Sequence, residues 1–123
     1  MEKKKILIVD DDIINQNMLK TTLASAGYSV TVVSNGEEAI IKANENSPHI
    51  IMLDIMMPEI DGGEVANILR SDEKTKNIPI IFLSSLISEE EEKVRDKKGL
   101  TSFLSKPFVR DKLLNLIGRY FRN

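Results

Sequence analysis

The chain of 123 residues contains no cysteine and no tryptophan, and it has a single histidine. The lack of cysteine excludes disulfides, thiolate nucleophiles and cysteine-based metal sites, and it is typical of an intracellular protein. No apolar run approaches the roughly 20 residues that a membrane-spanning helix needs. The apolar stretch that follows the basic start of the chain ends at Asp10, so we expect no export signal, no membrane partner and a cytoplasmic location.

The charge is also nearly balanced, with 17 basic and 19 acidic residues and a net charge of -2. This balance gives no electrostatic reason to expect direct binding of nucleic acid. The length fits one domain that buries a core of its own. We therefore expect residues 1–123 to form a single domain.

Short apolar runs alternate with helical patterns along the chain. The predicted strands are 6–9, 28–33, 50–53, 79–83 and 102–105. The predicted helices are 13–26, one that begins after residue 35, one around 65–69, one at about 89–98 and a last one around 109–120. Strands that alternate with helices through short connections predict an α/β fold, in which an open parallel sheet has helices on both faces.

Apolar residues in the first predicted helix keep the spacing of a helix that packs on a sheet. They are Ile14, Met18, Leu19, Leu23 and Ala26. Asp12 precedes this helix and is interpreted as its N-cap, and Asp61 is interpreted as the cap of the third helix. His49 is interpreted as a structural or exposed residue, because the chain offers no second histidine for a metal site.

Polar side chains end or follow four of the five predicted strands. Right-handed crossovers place the carboxyl ends of parallel strands on one edge of the sheet, where open α/β folds keep their sites. The residues that meet there are Asp10, Asp11, Asp54, Ser84 and Lys106. Carboxylates in contact repel by roughly 4 kcal/mol per pair at an effective dielectric of 20. We therefore expect a cation at this edge, namely Mg²⁺, or Mn²⁺ in its place.

Asp54 closes the apolar run 50–53, and a carboxylate in such a place is costly unless it is used. Beside a divalent cation it is suited to attack phosphorus and form an acyl phosphate. Lys106 and the hydroxyl of Ser84 would then neutralise and hydrogen-bond the remaining phosphoryl oxygens. The cluster is thus interpreted as a phosphoryl-accepting site.

The stretches that carry these residues resemble the receiver domain of two-component response regulators along the whole chain. The matching stretches are ILIVDD at 6–11, LDIMMPEIDG at 53–62, SS at 84–85 and KPF at 106–108. The resemblance implies a flavodoxin-like, doubly wound sheet of five parallel strands in the order 2-1-3-4-5. It also implies that residues 1–123 are a single receiver domain.

The resemblance implies a role for each matched acidic residue. Asp54 aligns with the phosphoacceptor, which takes a phosphoryl group from the phosphohistidine of a histidine kinase or a histidine phosphotransfer protein. Asp10 and Asp11 align with the acidic pair that holds Mg²⁺ together with Asp54 and the backbone carbonyl of Met56. Such a domain catalyses only its own phosphorylation and dephosphorylation, and it is not a conventional enzyme.

The resemblance further implies a switch. Ser84 aligns with the switch hydroxyl, Phe103 with the switch aromatic, and Lys106 with the phosphate-binding lysine, whose bond to Pro107 is expected to be cis. The fourth helix, the fifth strand and the last helix would present the changed surface to a downstream protein or output domain. The oligomeric state is expected to be a monomer or a phosphorylation-dependent dimer.

Some positions depart from the family pattern. Ser85 stands where alanine is usual, and Leu100 stands where alanine is common. Met56 and Leu86 are apolar where some relatives have polar side chains that steer the attacking water. From these two residues we expect a long-lived acyl phosphate.

Three other functions are compatible with parts of the pattern. A phosphohydrolase with an aspartate nucleophile usually has a second acid two residues later, and here that residue is Met56. A flavin or nucleotide binder needs a phosphate-cradling loop after the first strand, where Asp10, Asp11 and Asp12 would repel the ligand. A degenerate receiver that only binds partners is disfavoured because every position required for phosphorylation is filled.

Overall fold

The structure is a computed structural model of the chain, and it describes residues 3–86 and 100–121. The strands are β1 (Lys5–Val9), β2 (Ser29–Val33), β3 (Ile50–Asp54), β4 (Ile80–Ser84) and β5 (Thr101–Ser105). The helices within the described residues are α1 (Ile13–Ser25), α2 (Gly36–Asn46), α3 (Gly62–Arg70) and α4 (Arg110–Phe121). The predicted helix at 89–98 lies outside the described residues. None of the described helices has the length and apolar character needed to cross a membrane.

The five strands form one parallel sheet in the order β2-β1-β3-β4-β5. This arrangement confirms the predicted α/β fold and the flavodoxin-like strand order. β1 lies inside the sheet, with β2 on one side of it and β3, β4 and β5 in turn on the other side. Because the direction of strand addition reverses after β2, the connecting helices lie on both faces of the sheet. All five residues of β3 are buried, because this central strand has neighbours on both sides and helices above and below.

Two cores lie on opposite faces of the sheet. The first joins the sheet to α1 and α4, and its buried members are Ile6, Ile8, Leu19, Leu23, Ile50, Met52, Ile81, Leu83, Leu104, Leu113, Leu116 and Ile117. The second joins the sheet to α2 and α3, and its buried members are Leu7, Val9, Val33, Ala39, Ala43, Ile51, Leu53, Met57, Val65, Leu69 and Ile80. Successive strand residues alternate between the two cores because side chains of a strand point to opposite faces. Full burial of each large apolar side chain contributes roughly 1.5–3 kcal/mol.

Side chains cap three of the helices at their starts. Asp12 accepts a hydrogen bond from the backbone N–H of Ile14, and Asp61 accepts one from the N–H of Glu64, each at 2.9 Å. Asn35 caps α2 in the same way. The two aspartate caps predicted from the sequence are confirmed, and each such cap contributes about 1 kcal/mol. The caps at Asp12 and Asp61 determine where α1 begins after β1 and where α3 begins after β3.

The apolar residues that keep helical spacing in the first helix are only partly buried. Leu19 and Leu23 are fully buried, whereas Ile14 is 73% exposed and Met18 is 39% exposed. Ala26 lies beyond the end of α1, as its C-cap, and is exposed. Helical spacing alone does not make these residues buried, because only a narrow side of α1 contacts the sheet. The start of α1 therefore presents apolar side chains to solvent.

Candidate functional site

Three carboxylates meet at the carboxyl edge of the sheet. Asp10 follows β1 directly, Asp11 is the next residue, and Asp54 is the last residue of β3. One ligand atom from each of the three lies within 4.8 Å of the others. Asp10 and Asp54 are buried, whereas Asp11 is exposed at the rim. The structure thus brings together the three acids that the sequence placed on one edge.

Lys106, which follows β5, extends into this cluster. Its Nζ lies 3.3 Å from Oδ2 of Asp10 and 3.4 Å from Oδ2 of Asp54. Among the residues that the structure describes, Lys106 is the cation paired with the cluster, and its single charge leaves the three carboxylates with an excess of negative charge. The bond between Lys106 and Pro107 is cis, as expected from the family resemblance.

The buried carboxylate of Asp10 has one oxygen with a hydrogen bond and one without. Oδ1 accepts from the backbone N–H of Asp12 at 2.9 Å. Oδ2 is buried and makes no hydrogen bond, although Lys106 lies within ion-pair distance. A buried charged oxygen with so little compensation is costly. This oxygen and the close carboxylates fit a hard divalent cation, which prefers oxygen ligands.

The environment of Asp54 disfavours its charged form. Burial, followed by the negative charge of Asp10, raises the pKa of Asp54 from 3.8 to about 6. Lys106 opposes this rise, and so does the backbone N–H of Met56, which donates to Oδ1 of Asp54 at 3.3 Å. The carboxylate is still mostly ionised at pH 7, but it lacks the positive charge that would fully compensate it.

The start of α3 packs closely against the backbone at the end of β3, where Asp54 lies. Gly62, the first residue of α3, donates its N–H to the carbonyl of Ile55 at 2.9 Å. A Cβ atom at Gly62 would lie 2.4 Å from the carbonyl oxygen of Asp54 and 2.8 Å from the Cα of Ile55. Only glycine allows this approach of the helix to the strand end. From the sequence, only the cap at Asp61 was predicted here, and the close approach at Gly62 was not.

An open cleft of about 300 Å³ lies above the cluster. Its lining residues are Asp11, Asp12, Asp54, Met56, Ser84, Ser85 and Lys106. Ser84 is the last residue of β4, and its Oγ accepts a hydrogen bond from the backbone N–H of Leu86 at 3.0 Å. The side chain of Met56 is 63% exposed at the cleft. The cleft has room for a tetrahedral oxyanion beside Asp54.

Phe103 lies away from the cleft, in the middle of β5. Its ring stacks on that of Phe82, its register partner on β4, with centroids 5.6 Å apart and an interplanar angle of 27°. Phe103 was predicted from the family resemblance as the switch aromatic, whereas its partner Phe82 was not predicted. The partner was missed because pairing of β4 with β5 brings the two rings together, and no local pattern signals that register.

His49 has a structural contact rather than a place in the site. Its Nδ1 accepts a hydrogen bond from the backbone N–H of Lys5 at 2.9 Å, and its side chain is exposed. It lies at the edge of the sheet opposite to the acidic cluster, as expected for the residue that precedes β3.

Comparison with known proteins gives the family. The chain matches the family model described as the response regulator receiver domain over residues 6–118. The polar-differentiation response regulator DivK of Brucella anthropi is 30% identical over 118 residues, which cover 95% of each chain. The probable transcriptional regulator ycf27 of Cyanophora paradoxa is 38% identical over 108 residues, or 88% of this chain. The match covers 44% of that regulator, so this chain spans less than half of its length.

Solved structures agree with the sequence comparisons. The chemotaxis protein CheY4 of Vibrio cholerae superposes with a TM-score of 0.85 at 34% identity, covering 97% of this chain and 99% of that one. The receiver domain of the sensor histidine kinase PA1611 of Pseudomonas aeruginosa, with magnesium coordinated in its active site cleft, gives 0.84 at 29% identity, covering 97% and 98%. The chain therefore belongs to the response regulator receiver domain family of two-component signalling systems.

Proposed function

We propose that Asp54 accepts a phosphoryl group in a Mg²⁺-dependent reaction and that the phosphorylated domain controls a partner or an output domain. The donor is the phosphohistidine of a histidine kinase or of a histidine phosphotransfer protein. The observation that carries this proposal is the meeting of Asp54 with Lys106 and two further carboxylates at one cleft. Residues 1–123 act as one receiver domain, which the family match over 6–118 supports.

The residues present fit Mg²⁺, and Mn²⁺ in its place. Asp11 and Asp54 would supply carboxylate ligands and Met56 its backbone carbonyl, with Asp10 acting largely through water. The buried Oδ2 of Asp10, which lacks a hydrogen bond, supports this assignment. When bound, the cation offsets the negative charge that the carboxylates and phosphoryl oxygens share.

The chain's own residues divide the transfer reaction among them. A carboxylate oxygen of Asp54 forms the new bond to phosphorus while the bond from phosphorus to the histidine nitrogen breaks, and that nitrogen keeps the electron pair. Because the pKa of Asp54 is about 6, the carboxylate is ionised at pH 7 and no base is needed to activate it. Lys106 is placed to hold a phosphoryl oxygen, since its Nζ already lies 3.4 Å from Oδ2 of Asp54.

Exposed apolar side chains follow the same strand ends as the residues of the acidic cleft, and they suit a protein phosphodonor. Ile13 and Ile14 follow β1, Met56 follows β3, Leu86 follows β4 and Val109 follows β5, and each is more than half exposed. Exposed apolar groups gathered around a polar centre are typical of a protein-binding surface. A donor protein that covers these side chains would also exclude water from the transferred phosphoryl group.

Switching begins at the hydroxyl of Ser84. Its Oγ accepts from the N–H of Leu86, and a phosphoryl group on Asp54 offers a charged acceptor for the proton of the same hydroxyl, which draws Ser84 toward Asp54. Movement of Ser84 makes space for Phe103 to turn, which changes the surface of β5, α4 and the predicted helix at 89–98. Addition of a phosphoryl mimic with Mg²⁺ should shift amide resonances along β5 and α4. Shifts confined to the neighbours of Asp54 would contradict this step.

Apolar side chains at the cleft favour a long-lived acyl phosphate. Met56 and Leu86 are 63% and 74% exposed, and neither offers a polar group to orient an attacking water. Replacing both, as Met56→Asn with Leu86→Gln, should shorten the half-life of the phosphorylated form by roughly tenfold. An unchanged half-life, measured by loss of label from isolated phosphoprotein, would contradict the assignment.

Intact-mass measurement after incubation with a small phosphodonor and Mg²⁺ tests the central proposal. The wild type should gain the mass of one phosphoryl group, Asp54→Asn should gain none, and Asp11→Ala should react far more slowly. Asp61→Asn is the matched control, because Asp61 is an exposed acid that caps α3 and asparagine caps a helix equally well. Equal labelling of Asp54→Asn and the wild type would refute Asp54 as the acceptor.

A further inference from the structure

Gln16 in α1 connects two loops at the edge of the sheet that carries the acidic cluster. Its Nε2 donates to the backbone carbonyl of Asp10 at 2.5 Å and to the hydroxyl of Ser34 at 3.0 Å. A backbone carbonyl can only accept, so the amide nitrogen rather than the amide oxygen must face Asp10. The half-buried side chain therefore joins the loop after β1 to the residue that follows β2.

Gln16 completes the set of contacts that holds Asp10. The N–H of Asp10 donates to the carbonyl of Val33 at 3.2 Å, and its Oδ1 accepts from the N–H of Asp12 at 2.9 Å. With the carbonyl held by Gln16, only Oδ2 lacks a hydrogen bond, and this atom points to Lys106. Apart from the ion pair with Lys106, the contacts that set the orientation of the Asp10 carboxylate lie outside the cluster.

The same contact fixes the position of Asp11. The carbonyl that Gln16 holds belongs to the planar peptide unit between Asp10 and Asp11, so its direction determines where Asp11 leaves the strand. Within residues 3–86 and 100–121, no hydrogen bond or ion pair is found for the carboxylate of Asp11, which is exposed. Its place near the cluster therefore depends on the backbone.

We propose that Gln16 is a positioning residue that orients Asp10 and Asp11 for Mg²⁺ through the Asp10 carbonyl. This inference rests on the proposed function, since it assumes that the acidic cluster binds Mg²⁺. Gln16 is not among the residues that line the cleft. Groups that orient metal ligands in this way commonly change metal affinity by 10- to 100-fold when they are removed.

The test compares Gln16→Met, which keeps the length of the side chain and removes the donor, with the wild type. Gln16→Ala is the second variant, because alanine favours a helix at this position. Asn17→Ala is the matched control on an exposed neighbouring residue of the same helix. The Mg²⁺ dissociation constant is measured by calorimetry with the full chain, and amide hydrogen exchange is measured without metal.

Both Gln16 variants should weaken Mg²⁺ binding by about tenfold. Without metal, the amide of Asp12 should exchange about fivefold faster, since its acceptor on Asp10 is no longer held, while amides in β1 should keep their rates. The control should match the wild type in both measurements. A dissociation constant within twofold of the wild type in either folded variant would overturn the inference. If the wild type itself binds no Mg²⁺, the proposed function fails and this inference fails with it.

Discussion

The raised pKa of Asp54 predicts that the metal-free protein becomes more stable when this carboxylate is replaced by its neutral isostere. Burial and the charge of Asp10 disfavour ionised Asp54 in the folded chain, whereas the unfolded chain exposes it to water. Asp54→Asn keeps the size of the side chain and removes the charge. We therefore expect a higher free energy of unfolding for Asp54→Asn at pH 7.5 when Mg²⁺ is chelated.

The magnitude follows from linkage between proton binding and folding. A rise in the pKa of Asp54 from 3.8 to about 6 spans about 2 pH units, which corresponds to about 3 kcal/mol at 1.36 kcal/mol per unit. Between these two values the folded state binds more protons than the unfolded state. The contribution of Asp54 to stability is therefore fully present below pH 3.8 and is lost as the pH rises through 6. We expect Asp54→Asn to exceed the wild type by about 2–3 kcal/mol at pH 7.5, and by much less at pH 4.5.

Urea unfolding followed by far-ultraviolet circular dichroism suits this chain, which has no tryptophan to report by fluorescence. The wild type and Asp54→Asn are compared from pH 4.5 to 8 in chelator. Asp61→Asn controls for the loss of one acid, and it should stay within about 0.5 kcal/mol of the wild type. At a Mg²⁺ concentration tenfold above its dissociation constant, the wild type should gain about 1.4 kcal/mol and Asp54→Asn less. A metal-free Asp54→Asn no more stable than the wild type at pH 7.5, or a difference that does not vary with pH, would refute the reasoning.

Two further predictions concern the surroundings of the cluster. Gly62→Ala should lower the free energy of unfolding by about 1–3 kcal/mol, because its Cβ would lie 2.4 Å from the carbonyl oxygen of Asp54. Gly63→Ala, whose Cβ would meet only a carboxylate oxygen at 3.3 Å, should change the free energy of unfolding little. Equal losses of stability for the two variants in urea unfolding would contradict the packing argument. In the unphosphorylated protein, Phe82→Leu should increase the fraction of molecules in which the Phe103 ring has turned out of the stack. The expected increase is roughly 2- to 10-fold, since an aromatic pair contributes about 0.5–1.5 kcal/mol. Ring resonances of Phe103 that match those of the wild type would count against a role for the stack.

Local pattern was enough for the elements within residues 3–86 and 100–121 and for the edge at which the site lies. Short apolar runs such as 50–53 are typical of a strand covered on both faces, and the cap residues mark where helices begin. The strand order, by contrast, came from resemblance to a family, since alternation of strands and helices is compatible with several orders. The exposure of Ile14 and Met18 was not predictable, because helical spacing says which residues share a face but not how wide the covering partner is.

The sequence by itself determined that Asp10, Asp11, Asp54 and Lys106 would share one edge, because right-handed crossovers leave no other place for residues that follow parallel strands. Only the tertiary structure decided which atoms of these residues meet, and which neighbours hold them. The contact of Gln16 with the Asp10 carbonyl joins parts of the chain that no periodicity connects. Such contacts depend on the register between strands and on the rotation of a helix about its axis. Both are set by the packing of the whole core rather than by any short stretch of sequence.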